Sequence, residues 1–149
     1  MNLVRKTLSS SSILSLMGKS NRMDAQHETC DYVQMHIFRV PKKNHDTIVQ
    51  IGKQGHEIGN KHGILRQESF VLGSTETYEG FTNIANIVFA TRDEEIWLHL
   101  NFYRDRKHRD DVMARRIEND ETMSQLFQQS MHLITPGSNV IGEFSRPNM

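Results

Sequence analysis

A single cysteine among 149 residues leaves no partner for an internal disulfide and too few thiolates for a sulfur-bound metal site. Cys30 then reads as a thiol in the lead-in to the first strand, and its isolation fits a reducing, cytoplasmic compartment. Long apolar runs are lacking too, since none approaches the roughly 20 consecutive residues that span a bilayer, so no membrane partner is expected. Neither GxGxxG nor GxxxxGK occurs, which removes the common phosphate-cradling loops, and no cofactor is implied. His36 and His99 can be set beside Glu68 or Glu143 on paper, but no HxH or HxxxH spacing supports a metal centre. Excess charge of one sign is also missing: 18 basic and 18 acidic side chains balance. A polyanion is held by clustered Lys and Arg, so nucleic acid is not an expected partner.

What charge asymmetry exists lies at the start. Arg5, Lys6, Lys19 and Arg22 are the only charges before Asp24, and Ser9 to Ser12 form a serine run beside the short apolar pieces Ile13, Leu14, Leu16 and Met17. This composition resembles an organelle-targeting presequence. A disordered extension, or translation from Met23, accounts for it equally well. Residues 1–30 are thus expected to be an extension and residues 31–146 one folded domain, because the chain is too short for two ordinary domains.

The domain opens with Tyr32 to Val40, rich in aromatic and branched residues and stopped by Pro41, as suits a strand entering a turn. Val33, Met35 and Ile37 alternate with Tyr32, Gln34, His36 and Phe38, giving one aliphatic and one mixed face. From Asn44, a candidate N-cap, Ile48, Ile51, Gly52, Gly55, Ile58, Gly59 and His62 fall in a helical stripe of about 120°. Three glycines on that stripe point to close packing on a sheet, and Gly63 to a C-terminal stop. Ile64 to Leu72 predicts a second strand. Ser74 to Glu94 is too long for a structureless loop in so small a domain, so a short helix or a lid is expected there.

Glu95 to Arg104 is the clearest strand. Ile96, Leu98, Leu100 and Phe102 make a wholly apolar face, and Trp97, His99, Asn101 and Tyr103 point the other way. Asp105 is placed to cap a helix from Arg106 to Asn119 with Val112, Met113 and Ile117 inward. A short helix around Met123, Leu126 and Phe127 follows Asp120, His132 falls in a loop, and Val140 to Phe144 predicts the last strand. The order βαββαβ implies an α+β, ferredoxin-like sandwich: a four-stranded antiparallel sheet with its helices on one face.

Four segments carry a family resemblance: VPKKN at Val40 to Asn44, HG at His62-Gly63, YRDRKHRDDV at Tyr103 to Val112, and GEF at Gly142 to Phe144. They resemble the YbaA-like family, domain of unknown function 1428, within the dimeric α/β-barrel superfamily. The similarity runs over about residues 31–146, with a long N-terminal extension and a longer Ser74 to Glu94 region as departures. The resemblance implies a homodimer in which two sheets face each other and enclose a barrel. Some members of the wider superfamily are cofactor-independent monooxygenases or haem-degrading enzymes that use Trp, Asn and His. Trp97, His99 and Asn101 share those residue types, but they lie on one strand and match none of those motifs.

The aliphatic face of the sheet is expected under the helices. The opposite face, with Tyr32, Phe38, Trp97 and Tyr103, is too aromatic to leave in water, and a two-fold partner would cover it. Gln34, His36, Trp97, His99, Asn101 and Tyr103 would then line the barrel as ligand-binding residues. His36 and His99 are the candidate catalytic residues, since imidazole titrates near neutral pH. His108 and Arg109 form a second candidate patch. Their HRD tripeptide also occurs in protein kinases, but no glycine-rich loop or DFG accompanies it. Two functions fit: a homodimer that binds a small organic molecule and acts on it by acid–base chemistry, or a non-enzymatic structural or protein-interaction dimer whose polar groups are merely hydrogen-bonded.

Overall fold

The computed structural model describes residues 29–149, so the basic serine-rich segment and Met23 lie outside the described residues. The elements run β1 (Tyr32–Pro41), α1 (His45–His62), β2 (Arg66–Val71), α2 (Ile84–Ile87), β3 (Glu94–Tyr103), α3 (Arg106–Val112), α4 (Glu121–Leu133) and β4 (Val140–Ser145). A π-helical stretch, Met113–Ile117, carries α3 onward. His132 belongs to the last turn of α4 rather than to a loop, because that helix is a full 13 residues long.

Local chemistry sets most of the boundaries. Asp105 accepts a hydrogen bond from the His108 amide at 2.7 Å, and Asp120 one from the Met123 amide at 2.9 Å. Asp105 caps as anticipated, and Asp120 does the same for the helix that follows it. Asn44 stands at the N-cap position of α1 but makes no cap bond. Its side-chain amide instead donates to the Leu133 carbonyl at 3.0 Å, tying α1 to the end of α4. Gly63 ends α1 at φ 111°, left-handed backbone that a side chain would strain.

The strands form an antiparallel sheet in the order β2-β3-β1-β4. β1 and β3 pair over their full lengths with Tyr32 opposite Tyr103, Gln34 opposite Asn101, His36 opposite His99 and Phe38 opposite Trp97. The mixed faces of the two strands therefore coincide. β1 and β2 are both antiparallel to β3, hence parallel to each other, and β3 and β4 are likewise both antiparallel to β1. Each pair is joined by a helical crossover, and crossovers of one hand lay their helices on one side of the sheet.

That side is the mixed one, which corrects the expectation that helices cover the aliphatic face. Tyr32 and Tyr103 are buried with Ile64, Val112 and Ile117. At the other end Trp97 and Val40 are buried with Ile48 and Ile134, with Phe38 and Leu133 packed alongside. The aromatic side chains bridge sheet and helices within the single chain. On the aliphatic face, Ile37 and Ile96 are buried only by Val88, with Leu72, Ile84 and Ala85 alongside. The 74–93 segment, with α2 in it, is thus a short helical cover for one end of that face.

An ion pair fixes this end. Arg39 Nη1 contacts Glu94 Oε1 at 2.9 Å, the Thr135 hydroxyl donates to Glu94 Oε2 at 2.6 Å, and the Thr91 amide to Oε1 at 2.9 Å. Burial pushes the Glu94 carboxyl up, but the hydrogen bonds from Thr135, Thr91 and Arg39 win and hold it at about 2.

Candidate functional site

Between the sheet and its helices lies a cleft of about 640 Å³. Gln34, His36, Trp97, His99 and Asn101 line it, so five of the six expected ligand-binding residues come together, under the chain's own helices. Tyr103 does not join them. It is fully buried in the core, and its hydroxyl has no hydrogen-bond partner. Burial pushes that phenol up to about 12. The opposite wall comes from Ile48, Ile51, Met113, Met123, Leu126 and Phe127.

Two glycines of α1 face open space in the cleft. A Cβ at Gly52 or Gly55 would meet nothing within 4 Å, and both residues line the cleft. Only Gly59 fulfils the close packing expected of all three, since a Cβ there would fall 2.6 Å from Gln67 Oε1. Gln67 is held in place by bonds to the His56 carbonyl at 2.8 Å and to Asn60 Oδ1 at 3.1 Å.

Three imidazoles from three elements meet at the floor. His36 of β1 stacks beside His99 of β3, ring centroids 6.3 Å apart and 6° from parallel. His56 of α1 approaches His99 at 5.2 Å. The Ser69 hydroxyl, on β2, lies 2.9 Å from His99 Nδ1 and 3.4 Å from His56 Nε2. Burial, aided by the neighbouring His56 and His36 and opposed by the Asn101 carboxamide, lowers His99 to about 4. Burial also lowers His36, aided by Arg109 against the pull of Glu143, and it lowers His56. The floor is therefore a set of neutral imidazoles at neutral pH, each offering one N–H donor and one lone-pair acceptor.

A carboxylate organises the neighbouring amides. Glu143 of β4 receives the Tyr32 hydroxyl at 2.5 Å, Gln34 Nε2 at 3.0 Å and Arg109 Nη2 at 2.7 Å. The Tyr32 bond is the largest cause holding its carboxyl below the usual range, with Gln34 and Arg109 adding to it against burial. Because an ionised carboxylate only accepts, Gln34 must turn its NH₂ toward Glu143 and its carbonyl away. That carbonyl receives Asn101 Nδ2 at 3.4 Å, leaving Asn101 Oδ1 a buried acceptor without a partner.

The second patch divides. Arg109 lines the cleft, its charge matched by Glu143 and by Asp110 at 3.0 Å. His108 instead serves the fold: it is buried, its Nδ1 accepts the Arg104 amide at 3.1 Å, and its ring meets Tyr103 edge-on. Sequence reasoning missed His56 and Ser69 as floor residues and considered Glu143 only as a metal donor. His56 does adjoin Gly55 on the glycine stripe, a usable signal. Ser69 becomes visible only once β2 is paired with β3. Among the described residues, no group of three or more His, Cys, Asp or Glu is arranged to hold a metal ion, and no helix is long and apolar enough to cross a membrane.

No curated protein matches the sequence. A family model described as protein of unknown function, DUF1428, matches residues 31–134, from the start of β1 to the end of α4. Both the strands that carry the histidine pair and the helices that roof it fall within that match, and the chain belongs to the DUF1428 family.

Proposed function

We propose that this protein binds a small organic molecule in the cleft between its sheet and helices and acts on it by acid–base chemistry, His99 and His36 exchanging protons with the ligand. One observation carries the reading: neutral imidazoles converge on the floor of a largely apolar cleft of about 640 Å³. Concave apolar space with a few convergent polar groups and perturbed titrating residues is the usual form of a small-molecule site. A neutral imidazole offers both a lone pair and an N–H to a reacting group, His99 at about 4 being the weaker base and better suited to donate a hydrogen bond, and Arg109 and Glu143 fix the surrounding amides without adding net charge.

The protomer is read as ferredoxin-like, on the strength of its element and strand order, and as half of a homodimeric α/β barrel. The aliphatic face supports the second step. Phe70, Val140 and Phe144 are exposed there, and Val33, Leu98, Leu100 and Phe102 are only half-buried. A contiguous apolar face of this kind calls for a partner, and a second copy supplies the same face. The barrel is then an interface, and each protomer keeps its own cleft. The same face also favours the rival reading, an interaction dimer with no ligand.

Native mass spectrometry of the untagged protein from its own host separates the two. The expected result is a dimer with a small adduct that denaturation removes and that His99→Ala loses while remaining dimeric. A bare dimer points to the interaction reading, and a monomer removes the barrel.

A further inference from the structure

The charge and donor pattern of the cleft bears on the class of ligand, an inference that rests on the cleft being the ligand site. Among the described residues, Arg109 and Glu118 are the charged ones in the lining. Arg109 already faces Glu143 at 2.7 Å and Asp110 at 3.0 Å, so its charge is committed. The Glu143 carboxylate is also felt at His36. An anion entering the floor would lose its hydration, meet neutral imidazoles rather than a spare cation, and lie in the field of Glu143; such burial of an unpaired charge is costly. A purely apolar ligand fails differently. It would strip water from His36, His99, His56 and Ser69 without replacing their hydrogen bonds.

A hydroxyl group avoids both penalties. Like a neutral imidazole it carries one donor and one acceptor, so it pairs with either ring nitrogen in either tautomer. A carboxylate or sulfonate has no proton to give. We propose that the ligand is an uncharged alcohol or phenol, its hydroxyl on the imidazole floor and its apolar body against Ile48, Ile51, Met113 and Leu126, and that anions of the same shape are rejected.

The test is an NMR titration of the full chain near neutral pH with p-cresol, p-toluenesulfonate and toluene, which share one body and differ in the polar group. The expected result is that p-cresol shifts the imidazole signals of His36 and His99 and binds about tenfold more tightly than either of the others, the difference made by roughly one net hydrogen bond. Equal or tighter binding of the sulfonate overturns the inference and leaves the cleft a ligand site. Equal binding of toluene does the same, by showing the hydroxyl unused. If none of the three moves a cleft resonance, the site assignment falls as well.

Discussion

The two faces of the sheet come from the same ten-residue strands and differ by a one-residue shift of phase, yet they have opposite fates. The face with Tyr32, Gln34, His36 and Phe38 is roofed by α1, α3 and α4, while the face with Val33, Met35 and Ile37 is covered at one end only. The more polar face is the inner one. The long aromatic side chains explain how that works: Tyr32 with Tyr103 and Phe38 with Trp97 make contact with the helices at the two ends, and the shorter polar residues between them leave the cleft. The aliphatic face carries a smaller hollow of about 410 Å³ where α2 covers it, lined by Met35, Ile37, Ile84, Ile96 and Leu98, with no histidine among its walls.

The largest effect expected from this contrast is on stability. Tyr103→Ala, fully buried on the roofed face, should cost about 4 kcal/mol in urea unfolding. Phe144→Ala, 51% exposed on the open face, should cost about 1 kcal/mol or less at protein concentrations low enough to favour monomer. Equal losses would break the contrast. Tyr103→Phe sharpens it, because the tyrosine hydroxyl has no partner to lose; removing it should leave stability unchanged or raise it by about 1 kcal/mol.

Acid titration separates the two faces next. Glu94 has a folded value of about 2 against an ordinary 4.5, so the unfolded chain binds the extra proton between them. Stability from the Arg39–Glu94–Thr135 clamp is therefore present above pH 4.5 and lost as pH falls toward 2, about 3 kcal/mol in all. His99 has a folded value of about 4 against 6.5, and again the unfolded chain binds the extra proton. Its contribution is lost earlier, as pH falls from 6.5 toward 4. Unfolding curves at a series of pH values should show both stages, and Glu94→Gln should remove the lower one. A His99 imidazole signal that titrates near 6.5 would mean that the floor is wet and charged.

The smallest effects come from the helix that roofs the cleft. Gly59→Ala must displace Gln67 and its two hydrogen bonds, for a net loss of about 1 kcal/mol in thermal or urea unfolding. Gly55→Ala meets nothing within 4 Å and should stabilise α1 by about 0.5–1 kcal/mol while narrowing the cleft. A loss at Gly55 equal to that at Gly59 would show that the helix lies closer to the sheet than described.

These glycines show how far the sequence could be read. Their 3.6-residue spacing placed all three on the inner stripe, which is correct, and suggested close packing, which holds only at Gly59. Periodicity reports which way a residue points, not how far away the opposing surface lies. His36 and His99 were likewise recognisable as sharing a face, because two-residue alternation fixes the side of each strand. His56 and Ser69 needed α1 and β2 to be laid against that face, and Glu143 became the organiser of Gln34 and Asn101 only through the pairing of β4 with β1.

By itself the sequence determined the main elements, their order, the caps at Asp105 and Gly63 and the division of the long strands into an aliphatic and a mixed face, because backbone geometry and side-chain chemistry act over a few residues. The tertiary structure decided which face the helices cover. Both faces are apolar enough to be buried, so composition does not choose between them. The choice follows from the strand order β2-β3-β1-β4 and the handedness of the two crossovers, and these are properties of the chain's path through space that no local pattern encodes.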